Sequence, residues 1–153
     1  MTQQVKKVLG ELPGNGDFAV TVVSARGNRV LKKIVLVDDS TTIHLLLRIA
    51  FKQYPEIQIA TLDDPTTATE FVRCEKPDLV LLDVNMPQSS GKKVIRDIKS
   101  NADLQDVLVA FLTADDGTDE RKELLDIGAW YVFKKPFMPK TFADELIKVF
   151  NER

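Results

Sequence analysis

From residue 34 onward, short apolar runs alternate with stretches of helical periodicity, and this alternation limits the folds that the chain can adopt. Runs rich in Val, Ile and Leu predict five strands, at residues 34–37, 57–62, 79–82, 107–112 and 130–133. Runs that are apolar at every position are typical of strands buried on both faces, as in a parallel sheet.

Five helices are predicted between and after these strands. Helical spacing of apolar residues, together with start and stop signals, places them at residues 41–54, 64–74, 91–100, 118–127 and 140–151. Asp64 before Pro65 is a typical helix start, and Gly128 is a typical helix end. Strict alternation of strands and helices predicts an α/β fold: an open, doubly wound, five-stranded parallel sheet with helices on both faces.

Residues 1–31 do not join this pattern, so we expect an N-terminal extension before a single domain at residues 32–153. The length of 153 residues suits one core. Two explanations of the extension stay open. It is either a mobile or docking arm, or the product of a start codon assigned too far upstream.

Composition excludes several classes of protein. A net charge of -2 does not suggest a nucleic-acid-binding protein. The single cysteine, Cys74, rules out an internal disulfide and cysteine-based metal sites, and we expect it to be a small, buried or half-buried hydrophobic side chain. No apolar run is long enough to span a membrane, and no signal-peptide core is present. We expect a cytoplasmic protein without a membrane partner or direct nucleic-acid contact.

The ends of the predicted strands carry the candidate functional side chains. In a doubly wound sheet, ligands bind beyond the carboxyl ends of the strands. There the sequence places Asp38, Asp39, Asp83, Thr113 and Lys135. Each Asp alone would most simply cap a helix, but the three together, beside Lys135, predict a functional site.

Three carboxylates in one pocket require a counter-charge. Two like charges 4 Å apart repel by about 4 kcal/mol at an effective dielectric of 20. A hard divalent cation resolves this conflict, and few protein oxygens favour magnesium over calcium. A carboxylate beside such an ion can attack phosphorus and form an aspartyl phosphate.

The chain resembles the response-regulator receiver family over residues 32–153. The residues that carry the resemblance are Asp38-Asp39-Ser40, Leu81-Leu82-Asp83-Val84-Asn85-Met86-Pro87 followed by Gly91, Leu112-Thr113-Ala114, Gly128-Ala129 and Lys135-Pro136-Phe137. The resemblance implies a flavodoxin-like sheet with strand order 2-1-3-4-5 and five helices.

The resemblance also implies a role for each site residue. Asp83 is the expected phosphoacceptor. The expected ligands of Mg2+ are Asp38, Asp39, Asp83 and the backbone carbonyl of Asn85. The expected switch and phosphate-binding residues are Thr113, Ala114 and Lys135, and the Lys135-Pro136 peptide bond is expected to be cis.

One position departs from the family pattern. Val132 stands where the family usually has the aromatic residue that moves during switching. By strand alternation, Val132 should share a face with Trp130 and Lys134, whereas Tyr131 should point the other way. We therefore expect activation to act through the loop after Thr113 and the start of the helix near Thr118.

These features predict a single-domain response regulator of a two-component phosphorelay. A sensor histidine kinase would donate the phosphoryl group, and the switched domain would control a downstream partner protein. A relay intermediate that passes the group to a histidine phosphotransfer protein is an alternative. An aspartate-nucleophile phosphatase is another, although it would want an acid at Asn85. We expect no other enzymatic activity, an ordinary surface position for His44, and a homodimer through the fourth helix, fifth strand and fifth helix.

Overall fold

The computed structural model describes residues 29–114 and 117–153. The predicted extension over residues 1–31 lies outside the described residues except for its last three positions. The strands are β1 (Lys33–Val37), β2 (Gln58–Leu62), β3 (Leu79–Asp83), β4 (Leu108–Thr113) and β5 (Tyr131–Lys134). The helices are α1 (Thr41–Ala50), α2 (Ala68–Glu75), α3 (Gly91–Lys99), α4 (Thr118–Asp126) and α5 (Pro139–Asn151).

The strands form one parallel sheet in the order β2-β1-β3-β4-β5, which confirms the predicted fold class and strand order. Each face carries its own core because side chains alternate along a strand. Ile34 and Leu36 belong to the core beneath α1 and α5, and Val35 and Val37 to the core beneath α2, α3 and α4. All four of these β1 residues are fully buried, as expected for a central strand.

Polar side chains cap two of the α-helices and one 3-10 turn, in part where the sequence predicts. The Ser40 hydroxyl accepts a hydrogen bond from the Ile43 N–H at the start of α1, and Ser90 does the same at α3. Asp64 accepts from the Thr66 N–H, but the turn that follows, Pro65–Thr67, is a 3-10 helix, and α2 begins only at Ala68. The first predicted helix also ends as a 3-10 turn, at Phe51–Gln53.

Two predicted side-chain positions are wrong. Trp130 lies one residue before β5 and packs edge-to-face against Phe150 of α5, so it does not share the face of Val132. Alternation holds only inside a strand, and the strand begins at Tyr131. Cys74 is exposed on the outer side of α2, not buried.

The folded unit includes residues just before β1. Leu31 is 7% exposed and packs into the core beneath α1 and α5. The backbone N–H groups of Lys32 and Lys33 both donate to the Asp78 carboxylate, at 2.8 and 2.9 Å. Among the described residues, no helix has the length and apolar character that crossing a membrane requires.

Candidate functional site

Three carboxylates converge at the carboxyl edge of the sheet. Asp38 and Asp39 follow β1, Asp83 ends β3, and these strands are neighbours with Val37 opposite Leu82. One oxygen atom from each carboxylate lies within 4.8 Å of the others. Asp38 is fully buried, Asp83 is 9% exposed, and Asp39 is open to solvent.

The Lys135 ammonium lies between two of these carboxylates. Its Nζ is 3.2 Å from Asp38 Oδ2 and 3.1 Å from Asp83 Oδ1. Lys135 follows β5, where its backbone N–H donates to the Thr113 carbonyl at 2.8 Å, and its peptide bond to Pro136 is cis. Burial lowers the pKa of Lys135, but the charges and hydrogen bonds of the two Asp carboxylates outweigh that effect and hold the pKa above its ordinary value.

Asp38 is held in place by the backbone as well as by Lys135. Its Oδ1 accepts a hydrogen bond from the Ser40 N–H at 2.9 Å, and its own N–H donates to the Leu62 carbonyl at 3.1 Å. A fully buried carboxylate costs free energy unless it is paired and hydrogen-bonded, and both conditions are met here.

The pKa of Asp83 is raised above its ordinary value. Burial is the largest cause, and the charge of Asp38 acts in the same direction. The hydrogen bond and charge of Lys135 oppose them without cancelling them. One ammonium against three carboxylates leaves excess negative charge, and oxygen ligands of this kind fit a hard divalent cation such as Mg2+.

The loop after Asp83 folds back tightly on the strand. The Gly91 N–H donates to the Val84 carbonyl at 2.8 Å, and Asn85 forms an isolated antiparallel bridge with Ser90. A Cβ at Gly91 would lie 2.3 Å from the Asp83 carbonyl oxygen, so only glycine permits this approach. Asn85, two residues after Asp83, is exposed.

Thr113 ends β4 opposite Lys134 of β5, and Val132 lies two residues earlier in β5, opposite Phe111. Thr113 is 6% exposed, its hydroxyl donates to Glu120 Oε1 at 3.2 Å, and the exposed Ala114 follows it. Val132 is 6% exposed and packs in the core beneath α2, α3 and α4. A pocket of about 130 Å3 between α4 and β5 is lined by Thr113, Gly117, Thr118, Arg121, Val132, Phe133 and Lys134.

Two residues near the site have contacts that sequence reasoning missed. The expectation that His44 is an ordinary surface residue is wrong, because it is half-buried with its Nε2 2.6 Å from the Asp38 carbonyl oxygen. The sequence signal for this contact was the position of His44, one turn after the helix-capping Ser40. Glu120 contacts Thr113 across the start of α4, and nothing in the sequence pattern marks it.

Comparisons with known proteins agree with this geometry. The family model described as the response regulator receiver domain matches residues 34–147. A protein-glutamate methylesterase/protein-glutamine glutaminase of Hydrogenovibrio crunogenus is 35% identical over 115 residues, which are 73% of this chain and 30% of that protein. Response regulator MprA of Mycolicibacterium vanbaalenii is 36% identical over 115 residues, 74% of this chain and 46% of that protein. The chain thus spans less than half the length of these curated relatives.

A solved structure shows the same fold. Chemotaxis response regulator CheY4 of Vibrio cholerae matches with a TM-score of 0.70 and 24% identity, covering 78% of this chain and 98% of that one. The family match covers most of the chain and includes both the acidic cluster and Lys135. This chain belongs to the response regulator receiver domain family.

Proposed function

We propose that this chain is a phosphorylation-dependent switch in which Asp83 accepts a phosphoryl group from the phosphohistidine of a sensor histidine kinase. The observation that carries the proposal is the Lys135 ammonium bridging Asp38 and Asp83 at one edge of the sheet. Such an arrangement supplies a nucleophilic carboxylate and a cation at the same point, which is what phosphoryl transfer requires.

The proposed step is a displacement at phosphorus. A carboxylate oxygen of Asp83 forms the new P–O bond while the P–N bond of the phosphohistidine breaks, and the imidazole leaves with the electron pair. The Lys135 ammonium, already 3.1 Å from Asp83, pairs with the phosphoryl oxygens. Asp38, Asp39, Asp83 and the backbone carbonyl of Asn85 would hold Mg2+, which when bound supplies positive charge against the incoming oxygens.

The switch follows from two groups at the end of β4. The Thr113 hydroxyl and the Ala114 backbone N–H are the proposed donors to the phosphoryl oxygens. Because Val132 has one stiff torsion and no ring to move, the change would pass to the start of α4. The switched domain would then control a partner protein or pass its phosphoryl group to a histidine phosphotransfer protein. The α4, β5 and α5 surface stays our proposal for a homodimer contact.

A kinase also needs a docking surface near Asp83, and α1 offers one. Leu45 and Ile49 are 57% and 47% exposed and lie one turn apart, on the same side of α1. Ile49 borders a groove with Pro139 at the start of α5, and the neighbouring Met138 is 66% exposed. We call Leu45, Ile49 and Met138 the α1–α5 patch and propose that the kinase contacts it.

The test is labelling by a small phosphodonor. Acetyl phosphate with Mg2+ should add one phosphoryl group to the wild-type protein, visible as a mass shift, and excess chelator should prevent it. Asp83→Asn should abolish labelling. Asp63→Asn, which changes an exposed Asp that follows β2, should not. Stoichiometric label elsewhere in Asp83→Asn would contradict the assignment. Steady hydrolysis of an external phosphomonoester would support a phosphatase instead.

Residues 1–31 lie before the family match, and we propose that residues 1–28 of this extension are not needed for labelling, whereas Leu31 belongs to the folded core. A shortened chain that begins at Arg29 keeps the buried Leu31 and should be labelled at the wild-type rate. Loss of labelling in that chain would show that the extension takes part. Mass spectrometry of the native protein would decide whether translation starts at Met1.

A further inference from the structure

Glu120, in the first turn of α4, contacts the hydroxyl that the proposed switch uses. Thr113 is 6% exposed at the end of β4, and its Oγ1 donates to Glu120 Oε1 at 3.2 Å. Glu120 is itself half-buried. The proposed phosphoryl transfer gives this carboxylate no role.

A threonine hydroxyl has one hydrogen to donate. A carboxylate and a phosphoryl group are both anionic acceptors, so they compete for that hydrogen. We infer that Glu120 is a positioning residue: it holds the Thr113 hydroxyl while Asp83 is unmodified and loses it when Asp83 is phosphorylated. This inference rests on the proposed function.

The competition has a consequence for α4 because a second contact ties that helix to β5. Arg121 Nη1 donates to the Val132 carbonyl at 3.0 Å, and its guanidinium lies 5.3 Å from the centre of the Tyr131 ring. The phosphoryl group competes for the Thr113 contact and not for the Arg121 contact. Phosphorylation therefore removes the Glu120 contact between the first turn of α4 and β4, while the Arg121 contact with β5 and the buried Leu124 hold the rest of the helix in place.

Space for the first turn of α4 to move exists between α4 and β5. The pocket of about 130 Å3 is lined by Thr118 and Arg121 of α4 and by Thr113 and Val132 of the neighbouring strands. A displaced first turn of α4 therefore has space beside it.

Beryllofluoride with Mg2+, a phosphoryl mimic, gives the sharpest test, and 19F NMR reports its binding directly. Glu120→Ala removes the competing acceptor and should bind it about fivefold more tightly, which corresponds to about 1 kcal/mol of hydrogen-bond free energy. Glu120→Gln keeps a weaker, neutral acceptor, so its affinity for beryllofluoride should lie between those of wild type and Glu120→Ala. Asp119→Asn, an exposed acid in the same turn, is the matched control and should leave affinity unchanged.

A double-mutant cycle separates competition from a general effect of charge. Thr113→Ala should weaken the binding of beryllofluoride. When Glu120→Ala is added to Thr113→Ala, the affinity should not increase. The same fivefold gain with and without the Thr113 hydroxyl would overturn the inference. In the ligand-free protein, the amide hydrogens at the start of α4 should also exchange faster in Glu120→Ala than in wild type.

The two levels of proposal fail in different ways. Suppose that wild type binds beryllofluoride, and that Glu120→Ala binds it with the same affinity and shows the same amide exchange in α4. That result would refute only the role of Glu120. Wild-type protein that neither binds beryllofluoride nor accepts label at Asp83 removes the proposed function, and the role of Glu120 with it.

Discussion

The Asp83 carboxyl group connects the electrostatics of the site to the stability of the fold. Its folded-state pKa is raised by burial and by Asp38 against the opposing effect of Lys135. A group with a raised pKa stabilises the folded state below its unfolded-state pKa, and this contribution is lost as pH rises through the folded-state pKa. The ionised Asp83 carboxylate therefore destabilises the folded state at neutral pH when no metal is bound.

Asp83→Asn should for this reason be more stable than wild type in excess chelator at neutral pH. The difference in free energy of unfolding should shrink as the pH falls through the raised folded-state pKa and reach its smallest value below 3.8, the ordinary Asp value, where Asp83 is neutral in both the folded and the unfolded state. Urea unfolding at a series of pH values measures it. A constant difference across the series would contradict the linkage to Asp83 ionisation.

Gly91 sets how closely α3 approaches the acceptor strand. In Gly91→Ala the new Cβ would lie 2.3 Å from the Asp83 carbonyl oxygen and 2.9 Å from Phe111 Cε1. Backbone cannot yield as a flexible side chain does, so we expect a loss of about 1–3 kcal/mol in stability and slower labelling of Asp83. Ser89→Ala in the same loop should change stability by less than about 0.5 kcal/mol. Wild-type stability of Gly91→Ala in urea unfolding would refute the packing argument.

Helices α1 and α5 are joined by a hydrogen bond that titrates at high pH. The Tyr54 hydroxyl, just after α1, donates to the Asp144 carboxylate on α5. That bond, with burial and the charge of Asp144, raises the pKa of Tyr54 to about 12 from 10.0. Its stabilising contribution is complete below the unfolded-state pKa of 10.0 and is lost as pH rises toward 12.

The chain has two tyrosines, so ultraviolet absorbance can follow Tyr54 by difference. Asp144→Asn should produce phenolate at lower pH than wild type, because the anionic acceptor is gone. Tyr54→Phe leaves only the Tyr131 transition and identifies which step belongs to Tyr54. Identical titration of wild type and Asp144→Asn would show that the hydrogen bond does not persist in solution.

The sheet and its carboxyl edge could be predicted because strand patterns are local and parallel strands end together. Thus Asp38, Asp83 and Lys135, far apart in sequence, could be expected at one place. Contacts that depend on how a helix is rotated could not be predicted, as with Glu120. Trp130 shows a third limit: one residue of error in a strand boundary reverses the predicted face.

The molecule presents two separate surfaces around one site. The α1–α5 patch lies on the face of the sheet that α1 and α5 cover, whereas the start of α4, with Arg121 and the pocket beside it, lies on the other face, next to β5. A phosphodonor could occupy the first surface while the second changes shape. This division predicts that substitutions on the two surfaces affect different steps.

Ile49→Glu should slow phosphoryl transfer from a histidine kinase that labels the wild-type protein, without slowing labelling by acetyl phosphate. Burying an isoleucine in an interface contributes roughly 1.5–3 kcal/mol, so its loss should reduce the rate at limiting kinase by roughly tenfold or more. Acetyl phosphate is too small to need the α1–α5 patch. Leu125→Glu on α4, where Leu125 is 38% exposed, is the matched control and should leave both rates unchanged. Equal losses with both donors would point to damage at the site, and an unaltered kinase rate would place the docking surface elsewhere.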